Sequence, residues 1–88
     1  MRVLIVEDHE LLRDSLATGL REAGFAVDTA SDGEEGLWHA QSGNFDAVVL
    51  DLMLPKLSGL DLLRSLRKKD AKTPVLVLTA KDTTDDRV

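Results

Sequence analysis

The chain has 88 residues, 43% hydrophobic and 31% charged, with a net charge of −5 at pH 7 and no cysteine. That length allows one globular domain at most, and the apolar content excludes intrinsic disorder. The absent cysteines exclude a disulfide framework, a thiolate metal site and a thiolate nucleophile. The apolar runs are too short to span a membrane, and MRVLIVEDHE reaches two acids before a signal-peptide core can form. These features predict a cytoplasmic domain with no membrane partner. The acidic balance and the three aromatics, Phe25, Trp38 and Phe45, argue against a nucleic-acid surface in these residues.

Two kinds of segment alternate along the chain. Arg2 to Val6 is a short β-branched run ended by Glu7-Asp8, and reads as a buried strand. Glu10 to Ala23 changes to helical spacing, with Leu12, Leu16, Leu20 and Ala23 on one stripe and Arg13, Asp14, Arg21 and Glu22 opposite. Asp8 and Glu10 stand where a helix start favours negative charge, and Gly24 where a helix stops. Phe25 to Ala30 alternates as an edge strand does. Ser31-Asp32-Gly33-Glu34 carries a capping-box pattern opening a helix to about Gln41. Phe45 to Leu50 is a third strand, again ended by an acid, Asp51. After a loop containing Pro55, Gly59 precedes a helix over Leu60 to Lys69, with Leu62, Leu63 and Leu66 inward and a basic end. Gly59 is assigned the role of freeing the backbone at that start. Thr73-Pro74 opens a fourth strand, Val75 to Leu78, followed by Thr79.

The order β-α-β-α-β-α-β requires parallel strands with helices on both faces, an α/β doubly wound sheet. Such sheets bind ligands beyond the carboxyl ends of their strands, where strand order reverses. Glu7-Asp8, Asp51 and Thr79 all fall on that edge. If the first and third strands are neighbours, Asp8 and Asp51 share one cleft. Clustered carboxylates repel unless a cation lies between them, and all-oxygen ligation favours a hard ion, Mg²⁺ first and Mn²⁺ next. Each piece alone has a plainer reading: an acid after a strand is commonly a helix cap, and Thr79 a turn hydroxyl. Their joint placement on one edge is what points to a site.

The stretches VLIVEDHELLRDSLATGL, DAVVLDLMLPKLSGLDLLRSLR and TPVLVLTAKD resemble the receiver domain of two-component response regulators. The resemblance covers essentially all 88 residues, as a single receiver domain. The wording around Asp51 and Thr79 is most similar to the winged-helix (OmpR/PhoB-type) transcription-regulator class. It implies a flavodoxin-like sheet of order 2-1-3-4 followed by a fifth strand, an order known for that fold. It implies that Asp51 accepts a phosphoryl group from a histidine kinase. Mg²⁺ would be held by Asp8, Asp51 and the Met53 backbone carbonyl, with Glu7 acting through a metal-bound water. Thr79 would contact the phosphoryl group and act as the switch, while Met53 and Lys81 would modulate the lifetime of the aspartyl phosphate. A receiver of this kind is a switch that takes part in its own phosphotransfer and dephosphorylation rather than a turnover enzyme. DNA would be a partner only through an effector domain outside these residues.

Other residues read as structural. His9 and His39 share no metal-ligand spacing, Trp38 beside Leu37 and Ala40 reads as packing, and Arg64 to Lys72 reads as a solvated helix end. Gly33 and Gly36 form no dinucleotide fingerprint. The lysine and aromatic of the family's fifth strand have no counterpart before Val88, and Thr83 to Asp86 is a helix-start signal with two residues after it. This predicts a receiver incomplete at its C-terminus, lacking the fifth strand and last helices. Strand four would then form a sheet edge, and a homo-oligomer is expected through that region. Two alternatives stand beside the phosphoacceptor reading. One is a non-phosphorylated interaction or oligomerisation module. The other is a Mg²⁺-dependent phosphatase, which would normally carry an acid two residues after the nucleophile, where this chain has Met53.

Overall fold

The computed structural model describes residues 1–52, 54, 56–69 and 72–78. Seven elements follow in order: β1 (Arg2–Val6), α1 (Glu10–Glu22), β2 (Ala26–Ala30), α2 (Gly33–Ser42), β3 (Ala47–Asp51), α3 (Gly59–Lys69) and β4 (Val75–Leu78). The four strands make one parallel sheet in the order β2-β1-β3-β4, as the flavodoxin-like reading requires. β1 is central and its side chains are buried from Val3 onward, whereas β2 lies at an edge and buries only Val27 and Ala30. The alternation expected for β2 is not what the structure has: Val27 and Ala30 each enter a different core, because both faces of the sheet are covered.

Strand alternation sends successive residues to opposite faces and so builds two cores. Leu4, Val6, Ala30, Val48 and Leu50 join Leu62 and Leu66 of α3 on one side, with Leu37 and Ala40 of α2 packed against them. On the other side Val3, Ile5 and Val27 meet Ala17, with Leu16, Leu20, Phe25 and Val49 partly buried around them. Gly36 lets α2 approach closely: a Cβ there would lie 2.8 Å from Val6 Cγ1 and 3.2 Å from Leu62 Cδ2.

Several local expectations change. The apolar stripe of α1 is rotated, so that Leu12 and Ala23 are exposed and Ala17 is the residue in the core. A small residue at the contact lets the helix sit close to the sheet, and close packing outranks the count of leucines. Arg13, expected on the solvent side, is half-buried and donates from Nη1 to the Glu7 carbonyl oxygen at 3.3 Å. The cap of α2 is displaced by one residue. Asp32 Oδ1 accepts from the Glu35 N–H at 2.8 Å, and Glu35 Oε1 accepts from the N–H and hydroxyl of Ser31. β3 begins at Ala47, and just before it Asp46 is joined to Arg2 twice: its N–H donates to the Arg2 carbonyl and its Oδ2 accepts from the Arg2 N–H, each at 2.7 Å. Trp38 is 63% exposed rather than packed, with its ring edge-on to His39 at a centroid separation of 5.0 Å.

Candidate functional site

The register of the sheet assembles the site. Val6 pairs with Leu50 across β1 and β3, so the next residues along each strand, Glu7 and Asp51, come level at the carboxyl end of the sheet. Glu7, Asp8 and Asp51 each offer a carboxylate oxygen, and these oxygens lie within 4.8 Å of one another. Asp8 is exposed, while Glu7 and Asp51 are 2% and 6% exposed. The sequence therefore identified a trio that the fold brings together. Thr79 follows Leu78, whose strand partner is Asp51. Thr79, Met53 and Lys81 themselves lie outside the described residues, as do Pro55 and the helix-start signal at Thr83 to Asp86.

Glu7 is tied in at every group but one. Its N–H donates to the Ala30 carbonyl at 3.0 Å, its carbonyl accepts from Arg13, and Oε2 accepts from the His9 N–H at 2.9 Å. Oε1 is buried and has no hydrogen-bond partner. Burial raises the Glu7 pKa above its ordinary value; the His9 N–H opposes this, and the charge of Asp51 and the neighbouring Asp8 carboxylate add to the rise. Unpartnered buried carboxylate oxygens are costly, and a cation in the cleft removes both the desolvation and the repulsion. An all-oxygen trio with a spare buried acceptor fits a hard divalent ion and offers nothing to a soft one.

His9 is more than a surface residue: it is the N-cap of α1, with Nδ1 accepting from the Leu12 N–H at 3.4 Å. Its position immediately before Glu10 was the available signal, but histidine is an uncommon cap. Ser58 was also missed as a cap. Its Oγ accepts from the Asp61 N–H at 3.2 Å and donates to Asp61 Oδ2 at 3.0 Å, in a capping-box spacing legible as S-x-x-D. Gly59 is needed for space rather than backbone freedom, since a Cβ there would lie 2.3 Å from the Asp51 carbonyl oxygen. The basic end of α3 is partly structural: Arg67 Nη1 donates to the Thr73 carbonyl at 2.7 Å, joining the helix end to the start of β4.

Residues 3–88 match the family described as response regulator receiver domain. The transcriptional regulatory protein QseB of Haemophilus influenzae is 50% identical over 88 residues, which are 100% of this chain and 40% of that protein. The chain thus spans about 40% of the length of the curated relatives it matches, which are transcriptional regulatory proteins. The response regulator TrrA of Thermotoga maritima, in complex with Mg²⁺-BeF, superimposes with a TM-score of 0.87 at 41% identity. That match covers 92% of this chain and 70% of TrrA. The complex of TrrA with the histidine kinase ThkA matches with a TM-score of 0.84 at 38% identity, over 98% of this chain and 74% of that one.

Proposed function

Since this chain belongs to the response regulator receiver domain family of two-component signalling, we propose that it is a phosphoacceptor switch with Asp51 as the acceptor. The observation that carries this reading is the convergence of Glu7, Asp8 and Asp51 around a buried oxygen with no partner. Asp8, Asp51 and the Met53 carbonyl would hold Mg²⁺, with Glu7 behind them. The Mg²⁺-BeF complex of TrrA supports the choice of ion, and the TrrA–ThkA complex supports a histidine kinase as donor. In the transfer an Asp51 carboxylate oxygen forms a bond to phosphorus as the phosphorus–nitrogen bond of the kinase phosphohistidine breaks, and the imidazole leaves. Bound Mg²⁺ supplies the charge neutralisation that lets two anions meet in line. Asp51 belongs to the last ladder pair of β3 and is aimed by it, and the Glu7–His9 hydrogen bond holds the neighbouring acid in place.

Thr79 as the switch contact and Lys81 and Met53 as modulators complete the proposal, with a DNA-binding output outside these residues as the reader of the switch. We place the unit in the cytoplasm as a single receiver domain; among the described residues no helix is long and apolar enough to cross a membrane. No turnover is required of such a unit. Incubation with acetyl phosphate and Mg²⁺, followed by intact mass, is expected to add one phosphoryl group to the native chain and none to Asp51→Asn. An adduct on both chains, or on neither while both are folded, overturns the assignment.

A self-association reading is favoured by a separate observation. β4 is the outer strand of the described sheet, and its Leu76 and Val77 are 63% and 38% exposed. Leu76 also borders an open apolar hollow with Met1, Leu20, Phe25, Val49 and Pro74. Exposed apolar edges recruit other chains. A homo-oligomer through the β4 region is therefore part of the proposal, and a stable monomer by light scattering at micromolar concentration overturns it.

A further inference from the structure

The described chain after Asp51 is seated by two glycines. At one end the Gly59 N–H donates to the Leu52 carbonyl at 3.1 Å, and a Cβ on Gly59 would lie 2.3 Å from the Asp51 oxygen and 2.5 Å from Leu52 Cα. At the other end Gly33, the first residue of α2, meets the backbone of Leu57. A Cβ on Gly33 would stand 1.8 Å from the Leu57 carbonyl oxygen and 2.6 Å from its carbon. The neighbouring Asp32 caps α2 through Oδ1 and places Oδ2 3.5 Å from Lys56 Nζ. Lys56 has a φ of 68°, in the left-handed region that non-glycine residues seldom adopt. Leu54 and Leu57 pack against the core formed by the sheet and α3.

We propose that the first turn of α2, through Gly33 and Asp32, positions Lys56 and Leu57, and with them Gly59 against Asp51, and thereby sets the affinity of the Glu7–Asp8–Asp51 cleft for Mg²⁺. The inference rests on the reading of that cleft as a Mg²⁺ site and adds a determinant outside it. Gly33 meets the backbone of Leu57, and Gly59, two residues further on, meets that of Asp51 and Leu52, so a displacement at Leu57 is passed through Gly59 to Asp51. The contact is with backbone on both sides, so neither partner can swing aside as a flexible side chain would. The Asp32–Lys56 pair assists less, because Lys56 is well exposed and exposed pairs are weak. Gly33 and Asp32 touch no ligand and act as positioning residues.

The test is calorimetric titration of Mg²⁺ into the 88-residue chain, its folded state checked by circular dichroism. Gly33→Ala is expected to weaken Mg²⁺ by about 10-fold or more, the range for residues that orient metal ligands. Gly19→Ala makes the same change on α1, where a Cβ would meet nothing within 4 Å, and is expected to keep the native affinity. A merely structural role for Gly33 lowers the unfolding temperature and leaves the folded protein with native affinity, which overturns the inference. If Gly33→Ala does not fold, Lys56 decides. Lys56→Val opposes the left-handed backbone and is expected to weaken Mg²⁺, whereas Lys56→Gly keeps that backbone and binds nearly as the native chain does. Native affinity in Lys56→Val then overturns the inference. A native chain that binds no Mg²⁺ overturns the reading of the cleft, and the inference with it; native binding with unaltered variants removes the positioning role alone.

Discussion

Glu7 holds a carboxyl group away from solvent with one oxygen unpartnered, and its pKa is raised mainly by that burial. For a carboxylate so raised, the unfolded chain releases its proton at a lower pH than the folded one. Stability is therefore greatest below the ordinary value of 4.5 and falls as pH rises through the higher folded pKa. Above the folded pKa the metal-free protein carries that cost. Replacing Glu7 by Gln removes the buried carboxylate charge and its repulsion with Asp51 and Asp8, and is expected to raise the unfolding temperature of the metal-free chain at pH 7 and to weaken Mg²⁺. Thermal unfolding with and without Mg²⁺ checks both signs, and a variant less stable than native without metal contradicts the argument. The acids at Glu7, Asp8 and Asp51 were legible in the sequence because each ends or follows an apolar run. The orphaned oxygen was not, because its burial and its want of a partner arise only when the strands and helices pack together.

At the scale of elements, the first turn of α2 shows how a motif can be recognised and yet be set one residue away. Ser31-Asp32-Gly33-Glu34 and Asp32-Gly33-Glu34-Glu35 both carry the capping-box spacing. Asp32 is the cap in the structure, and with Ser31 outside the helix Glu35 closes back on it. Hydrogen bonds from the Glu35 N–H to Asp32, and from Ser31 to Glu35, hold both carboxyls below their ordinary values. Carboxyls lowered in this way contribute stability above the ordinary range, and it is lost as pH falls through the folded pKa. Asp32→Ala is therefore expected to lower the unfolding temperature by a few degrees at pH 6, with the difference from native shrinking toward pH 3. A difference that grows on acidification contradicts the cap. Glycines in helices divide the same way. A Cβ on Gly36 meets Val6 and Leu62 in the core, so Gly36→Ala is expected to cost about 1–3 kcal/mol by overpacking. Gly19→Ala is expected to stabilise by up to about 1 kcal/mol through helix propensity. Chemical denaturation of the two variants side by side distinguishes glycine kept for space from glycine that is merely tolerated.

For the whole molecule, the sheet has its acidic and its exposed apolar features in different places. The acidic cleft lies beyond the carboxyl ends of β1 and β3, while β4 carries exposed Leu76 and Val77 at the outer edge of the described sheet. If copies associate through β4, they do so against a net charge of −5 each, so salt that screens the repulsion should strengthen association. Light scattering is expected to show the native chain shifting to larger species at high salt, and Leu76→Glu remaining smaller at every salt concentration. Identical masses for native and variant would place association elsewhere. The resemblance carried the strand order, and the structure has the same order, because a right-handed crossover between parallel strands leaves few alternatives. Trp38 and Leu12 went the other way: both read as packing and both are exposed.

What the sequence determined by itself was periodic and local. Short apolar runs, two of them ended by acids, helical stripes between them and polar breaks specified seven elements in order and put Glu7, Asp8 and Asp51 at strand ends. Only the tertiary structure decided which face of α1 is inside, why residues 33, 36 and 59 must lack a side chain, and which carboxylate oxygen is left unpartnered. Those properties depend on distances between separate elements of the chain, and a side-chain pattern along one strand or helix carries no record of how closely the next one approaches.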